Sequence, residues 1–476
     1  MSSPAATSSS TTRRLVEKAC TFLSSATDPF HAVRNSVLRL EAAGFARWQP
    51  MGTASLQRGG KYYYTVQNST LVAFTVGAKV STAEGGFLLI GGHTDSPNLR
   101  VKPRSKKPSS GGGPVQLNVE CYGGGLWHTW FDRDLSLSGK VLVRKSGSDS
   151  VMPRLLQLQD PIARVSTLCI HLQSAEERKA FAVNKEDHTS PIILGQRDEQ
   201  LEQAVLEQLA SRNDPWQQQQ EPALLQRIAQ ELNVSVKDIA DFELSLYDTQ
   251  PATTGGMNGE FLYSARLDNL ATVFCAVEAI SEADVSNSSD IHMVVCFDHE
   301  EVGSTSATGA GSPVIVQAME RIAGSLEGVQ QNDLIPHSFI LSIDQAHAVH
   351  PNYANKHQAQ HRPLMNGGIV IKSNANQRYT TNSQSAFFLR ELGRRNDIPM
   401  QEFCVRNDCP CGSTIGPTIA ALTGIRTVDA GMPQLSMHSC REVMGVQDLE
   451  YGVRLFEAFF AQFRAMDAQV QENIEY

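Results

Sequence analysis

The sequence predicts an α/β fold, a mixed β-sheet flanked by helices and interrupted by an inserted, mostly β domain. Three observations carry this reading. Short apolar runs bounded by glycine, at 71–76 and 87–90, have the length and texture of buried strands. After Gly256 strands and helices alternate: helix 267–282, strand 291–297, helix 314–323, strand 339–343, strand 368–372, helix 383–395 and a long amphipathic helix 449–466. Between these two regions, over 105–256, the alternation is lost.

Taken in order, the first twelve residues are mostly Ser, Thr and Ala, followed by Arg13 and Arg14, with no apolar segment of secretory type. Residues 1–14 are therefore expected to be a disordered tail. Asp28-Pro29 opens a helix in which Phe30, Val33, Val37 and Leu40 recur every three or four residues, and Gly44 closes it. The insert begins with a Ser-, Lys- and Gly-rich stretch, and its segments 115–121, 135–143 and 165–172 alternate apolar and polar residues as antiparallel strands do. Its Gln- and Glu-rich part, 198–244, has helical periodicity and includes Gln217 to Gln220, to which no catalytic role is given. Residues 15–104 and 257–476 thus form one discontinuous domain, with 105–256 inserted into it.

With 476 residues, 41% of them hydrophobic, the chain is too long for one ordinary core. A formal net charge of -9 argues against nucleic acid as the main partner, because phosphate binding needs a basic field. Nowhere do about 18 apolar residues follow one another, so no membrane partner is expected. Nine scattered cysteines read as reduced, cytoplasmic usage, and the close pair Cys409 and Cys411 lacks companions at zinc-finger spacing. There is no nucleophile elbow, phosphate loop or dinucleotide fingerprint.

Reactive groups in α/β sheets gather beyond the carboxyl ends of the strands. Four sets of polar residues follow apolar runs: His93 and Asp95, Glu300 and Glu301, Asp344, and His438. In His93-Thr94-Asp95, residues two apart on extended chain point the same way, so Asp95 can orient the His93 imidazole. Asp298-His299-Glu300-Glu301 places three acids after a buried strand, where their repulsion needs a cation or solvent. Asp268 taken alone reads as a carboxylate at a helix N-terminus, and Asp344 reads equally well as a capping or turn residue and His438 as a loop histidine. Together, two histidines and three carboxylates supply a site for two divalent cations bridged by Asp268, with Glu300 moving a proton from a bridging water to a departing amine. The ligand mixture suits zinc, two per subunit, with manganese or cobalt compatible.

Five separated segments, residues 91–97, 264–270, 298–304, 344–353 and 437–439, make the chain resemble the M18 metallopeptidase family of aspartyl aminopeptidases over about 16–466. The resemblance implies a zinc aminopeptidase-like sheet and zinc ligands His93, Asp268, Glu301, Asp344 and His438. It further implies Glu300 as catalytic base, release of N-terminal Asp or Glu from peptides, and an insert that dimerises, the dimers assembling into a dodecamer. His347, Lys372 and Tyr379 match substrate-contacting positions, as do Glu300 and Asp344, and His171 would reach a neighbouring subunit's active site. Without the resemblance Lys372 would be a solvated lysine at a strand end. Two competing readings are a dinuclear metal deacylase of N-acyl amino acids and a catalytically silent, self-assembling scaffold.

Overall fold

The computed structural model describes residues 10–50, 52, 55–81, 84–108, 113–145, 148 and 150–470. It divides into two compact units, residues 1–95, 252–437 and 442–476 in one, and 96–251 with 438–441 in the other. The junctions therefore fall at 95/96 and 251/252, where composition had placed them at 104/105 and 256/257.

In the first unit a nine-stranded mixed sheet runs in the order Ala46–Arg47, Lys61–Val66, Thr70–Val76, Ile291–Phe297, Phe87–His93, Phe339–Ile343, Arg426–Gly431, Ile369–Ser373, Met400–Cys404. Four central strands, Ile291–Phe297, Phe87–His93, Phe339–Ile343 and Arg426–Gly431, are mutually parallel, so their carboxyl ends open on one side. Because strand side chains alternate, the same strands feed two cores. Leu88, Ile90, Val294, Phe339 and Leu341 join the helices Ser10–Ser25, Pro29–Ala42, Leu267–Glu282, Ser383–Arg395 and Val446–Asp467 on one face. Phe87, Leu89, Met293, Val295 and Ile340 join Val314–Gly324 and Ile415–Thr423 on the other. A smaller five-stranded sheet runs Thr253–Gly255, Phe261–Ser264, Glu442–Gly445, Pro433–Leu435, Ala346–His347.

The helix expected after Asp28 begins where the sequence places it: the Asp28 side chain accepts the His31 N–H at 3.0 Å. Residues 10–14 of the expected tail are helical. A helix spans Ser10–Ser25, burying Thr12, Val16, Ala19, Phe22 and Leu23 along one stripe, with the Thr12 hydroxyl donating to Glu450. Polar composition hid that stripe; residues 1–9 lie outside the described set.

The second unit is built on a six-stranded antiparallel sheet, in the order Val151–Gln157, Leu135–Arg144, Ile239–Asp248, Asn98–Lys106, Val115–Tyr122, Ile192–Leu194. Two sequence expectations fail here. Residues 166–172 form no strand, and Leu168, Ile170 and Leu172 are exposed; alternation predicts a strand only when one face has something in the same chain to bury against. Helical periodicity over 198–244 resolves into helices Glu199–Ala210 and Pro222–Leu232, then gives way to the strand Ile239–Asp248, whose partners lie far away in sequence. Gln217 and Gln220, within the glutamine run, are buried and tie the chain together: the Gln217 amide donates to the Ile239 carbonyl at 2.6 Å and that of Gln220 to the Pro103 carbonyl at 2.8 Å.

Phe339 sits where the sheet meets three helical aromatics, its ring centroid 4.6 Å from Phe463, 5.7 Å from Phe388 and 6.2 Å from Phe459. Phe339→Ala should cost about 3–5 kcal/mol by cavity formation, read as a lower midpoint in chemical denaturation. A loss below about 1 kcal/mol would show that the aromatic cluster does not carry this face of the sheet.

Candidate metal centre

His93 closes the strand Phe87–His93, and its side chain is buried, 1% exposed. Its Nε2 lies 3.4 Å from Asp268 Oδ1, 3.6 Å from Asp344 Oδ1 and 4.0 Å from Glu300 Oε2. Ligand atoms of His93, Asp268 and Asp344 lie within 4.8 Å of one another, as do those of His93, Glu300 and Glu301. Three strand ends and one helix start thus bring His93, Asp344, Glu300, Glu301 and Asp268 together.

The Asp95 contact differs from expectation. His93 Nδ1 donates to the Asp95 backbone carbonyl at 3.0 Å, while the nearer carboxylate oxygen stands at 3.5 Å. The Asp95 carboxylate instead accepts the N–H groups of Glu300 and Glu301, each at 3.1 Å. It fixes the glutamate turn, and its main chain fixes the imidazole tautomer that leaves Nε2 toward the acids.

Of the three acids following the strand Ile291–Phe297, Asp298 turns away: its carboxylate accepts the His299 N–H at 2.8 Å. His299, at φ +62, and Gly303, at φ +93, bend the chain so that Glu300 and Glu301 face His93. Asp268 has φ -82 and ψ 105, outside helical geometry, although it opens the helix Leu267–Glu282; its N–H donates to Glu442 Oε2 at 3.0 Å. The reading of Asp268 as a helix-end carboxylate is set aside, because its side chain points at His93.

Asn269 and Glu442 were not singled out in the sequence, and no local signal marks them. The Asn269 amide donates to the Ile343 carbonyl at 2.9 Å and to Asp344 Oδ1 at 3.1 Å, fixing the rotation of that carboxylate. Lys372 is corrected from a solvated lysine to a buried one, 3% exposed. Its Nζ lies 3.6 Å from Asp344 Oδ2 and 5.4 Å from the centre of the Tyr379 ring. Tyr379 is buried against Phe403, and burial with the Cys411 thiol nearby raises its phenol well above the ordinary value. His347 is exposed, its ring 5.5 Å from that of Phe403.

Two predicted residues belong to the second unit. His438, at φ +64, has its Nδ1 3.1 Å from the Gly124 carbonyl, and His171 lies in the exposed segment 166–172.

The electrostatics describe a centre short of positive charge. Burial pushes the Glu300 carboxyl up to about 8, and Asp344, Asp268 and Asp95 add to that rise while His93 opposes it. His93 is raised well above its ordinary range: burial acts against the proton, but the neighbouring carboxylates of Asp268, Asp344 and Asp95 outweigh it. Protons are thus drawn to the positions where a cation would sit. The donor set, one imidazole nitrogen among several carboxylate oxygens, fits zinc.

A family model described as aminopeptidase I zinc metalloprotease, M18, matches residues 22–460. A probable aspartyl aminopeptidase of Ricinus communis is 44% identical over 471 residues, covering 94% of this chain and 95% of its own. An aspartyl aminopeptidase of Dictyostelium discoideum is 40% identical, covering 94% and 96%. Among solved structures, a chain of the Ape4 and Nbr1 complex superposes with a TM-score of 0.90 at 39% identity, covering 98% of this chain and 88% of that one. The S. cerevisiae mApe1 dodecamer gives 0.83 at 27% identity, covering 96% and 98%. With its strand-end histidine and carboxylates gathered on one side of the sheet, this chain belongs to the M18 family of zinc metalloprotease aminopeptidases.

Proposed function

We propose that this aminopeptidase removes N-terminal Asp and Glu from peptides, and that His93, Asp268, Glu301, Asp344 and His438 would hold two zinc ions per subunit. Manganese or cobalt would suit the same donors. One observation carries the reading: a buried lysine, Lys372, stands 3.6 Å from a carboxylate of the proposed metal cluster, so a fixed cation waits beside the reaction centre. The names of the relatives point the same way, since those from Ricinus and Dictyostelium are both aspartyl aminopeptidases or probable ones.

When bound, the zinc pair supplies Lewis acidity toward the scissile carbonyl and lowers the pKa of water. The chain's own residues do the rest. Glu300, held by Asp95 at its backbone, accepts the proton of the attacking water and returns it to the departing amine. Lys372 and the Tyr379 hydroxyl take the acidic side chain, and His347 lines the same end of the site. His171 of the partner subunit would complete the pocket, with the insert forming the dimer and dimers building a dodecamer. The exposed Leu168, Ile170 and Leu172, beside His171 in the chain, support this, because such side chains seek a partner surface.

Glu300→Gln should lower kcat about a thousandfold while zinc content and assembly stay unchanged; undiminished turnover would remove Glu300 as the base and leave the silent-scaffold reading open. Lys372→Met should weaken kcat/KM on aspartyl peptides about 10- to 100-fold and leave any cleavage of alanyl peptides nearly untouched. Equal losses on both would sink the assignment of Lys372 to acidic selectivity. An N-acetylated aspartyl peptide should resist cleavage; its hydrolysis would favour the deacylase. At pH 7 the metal-free Glu300 carboxyl, near 8, holds its proton, so zinc binding should release protons. Calorimetry in buffers of different ionisation enthalpy reads that release, and identical heats in all buffers would contradict it.

A further inference from the structure

We propose that Asp429 is a positioning residue for substrate, a buried carboxylate that holds the segment carrying Tyr379 in register with the strand carrying Asp344. The inference rests on Tyr379 as a substrate contact.

Asp429 lies in the strand Arg426–Gly431 with no solvent exposure. Its Oδ1 accepts the hydroxyls of Ser342 and Thr414, each at 2.6 Å. Its Oδ2 accepts the Thr380 N–H at 2.6 Å and the Thr380 hydroxyl at 2.8 Å. The next residue is tied to the same place: Thr381 Oγ1 accepts the Asp429 N–H at 3.0 Å and donates to the Asp429 carbonyl at 3.3 Å. A Cβ at Gly416 would fall on both carboxylate oxygens, so the first turn of the helix Ile415–Thr423 comes close only because residue 416 is glycine. A polar group taken out of water needs its hydrogen bonds made good, and here every donor is supplied by a segment that needs placing.

Those segments are the ones that build the two sides of the site. Ser342 pairs with Asp429 across neighbouring strands and precedes Asp344 by two residues, so it is fixed to the metal side. Thr380 directly follows Tyr379. Upstream, residues 375–378 are exposed and Tyr379 is the first buried side chain, so the Thr380-Thr381 pair on Asp429 ties down the backbone directly beside its ring. One carboxylate therefore fixes the spacing between the proposed metal ligand and the proposed substrate phenol. Apolar packing could hold the strands together without it; setting a loop at a strand end to hydrogen-bonding precision requires directional bonds.

The test is steady-state kinetics of the zinc-loaded enzyme on an aspartyl peptide, with zinc content and thermal midpoint measured on the same samples. Asp429→Ala should raise KM about tenfold, the scale of losing a few such bonds, with kcat within about threefold and zinc unchanged. Asp429→Asn should restore most of KM, because its amide oxygen accepts from Thr380 while its N–H groups donate to the Ser342 and Thr414 hydroxyls, which can turn to accept. If Asp429→Ala does not fold, Thr380→Val decides, with an expected rise in KM of about threefold. An unchanged KM in these variants, with only a lowered thermal midpoint, would overturn the proposal. So would a fall in zinc content and kcat together, since Asp429 would then be acting through Asp344. A wild-type enzyme indifferent to acidic N-termini would instead remove the Tyr379 assignment itself, a different failure from an unmoved KM.

Discussion

Four carboxylates and one imidazole share a small buried space, and opposing their mutual repulsion is the constraint on which the rest of this unit depends. At distances near 4 Å, each like-charge pair costs several times more in a protein interior than in water. Among the described residues, Lys372 and a proton on His93 offset the acids. A cation is the chemical complement to such a group, and strand ends on a rigid sheet are a place where the group can be held apart from water without collapsing. The two cores on opposite faces of the sheet supply that rigidity, since the strands that end in His93 and Asp344 contribute side chains to both.

Not every acid near the centre faces it, and hydrogen bonding separates the two kinds. Asp95 takes two backbone N–H groups, Asp298 takes that of His299, and Asp429 is filled by hydroxyls and the Thr380 N–H. A carboxylate whose lone pairs are already used is stable when buried and serves as scaffold. Asp268, Asp344 and Glu300 instead approach the His93 Nε2. The scaffold acids sit one layer behind and aim the others, which is why Asp95 reaches the glutamates through its side chain and His93 through its main chain.

This division explains how much of the site was legible in the sequence. Residues that end apolar strands could be named because strand ends are visible as pattern, and the acids in 298–301 drew attention by their density. Their separate duties could not be read, since Asp298 and Glu300 differ only in which way a positive-φ turn sends them. Asn269, Glu442 and Asp429 depend on partners 75, 174 and 87 residues away, and no local spacing encodes such pairings. The sheet itself was mostly readable, because alternate burial and helical stripes are local signals. Segment 165–172 shows the limit: its alternation is real, yet Leu168, Ile170 and Leu172 face out of this chain.

Lys372 stands between the Asp344 carboxylate and the Tyr379 ring. Asp344 presents Oδ1 toward His93 and Asn269, and Oδ2 toward Lys372, so one carboxylate is divided between the centre and the ammonium group. In a metal-free chain Lys372 sets a positive charge 3.6 Å from Asp344. A cation held by that carboxylate would, on the proposed reading, weaken its hold on Lys372 and leave the ammonium charge for an incoming acidic side chain. On the proposed reading, filling the metal site and recognising an acidic N-terminus are therefore parts of one electrostatic balance, set by a lysine that local sequence pattern alone would leave in solvent.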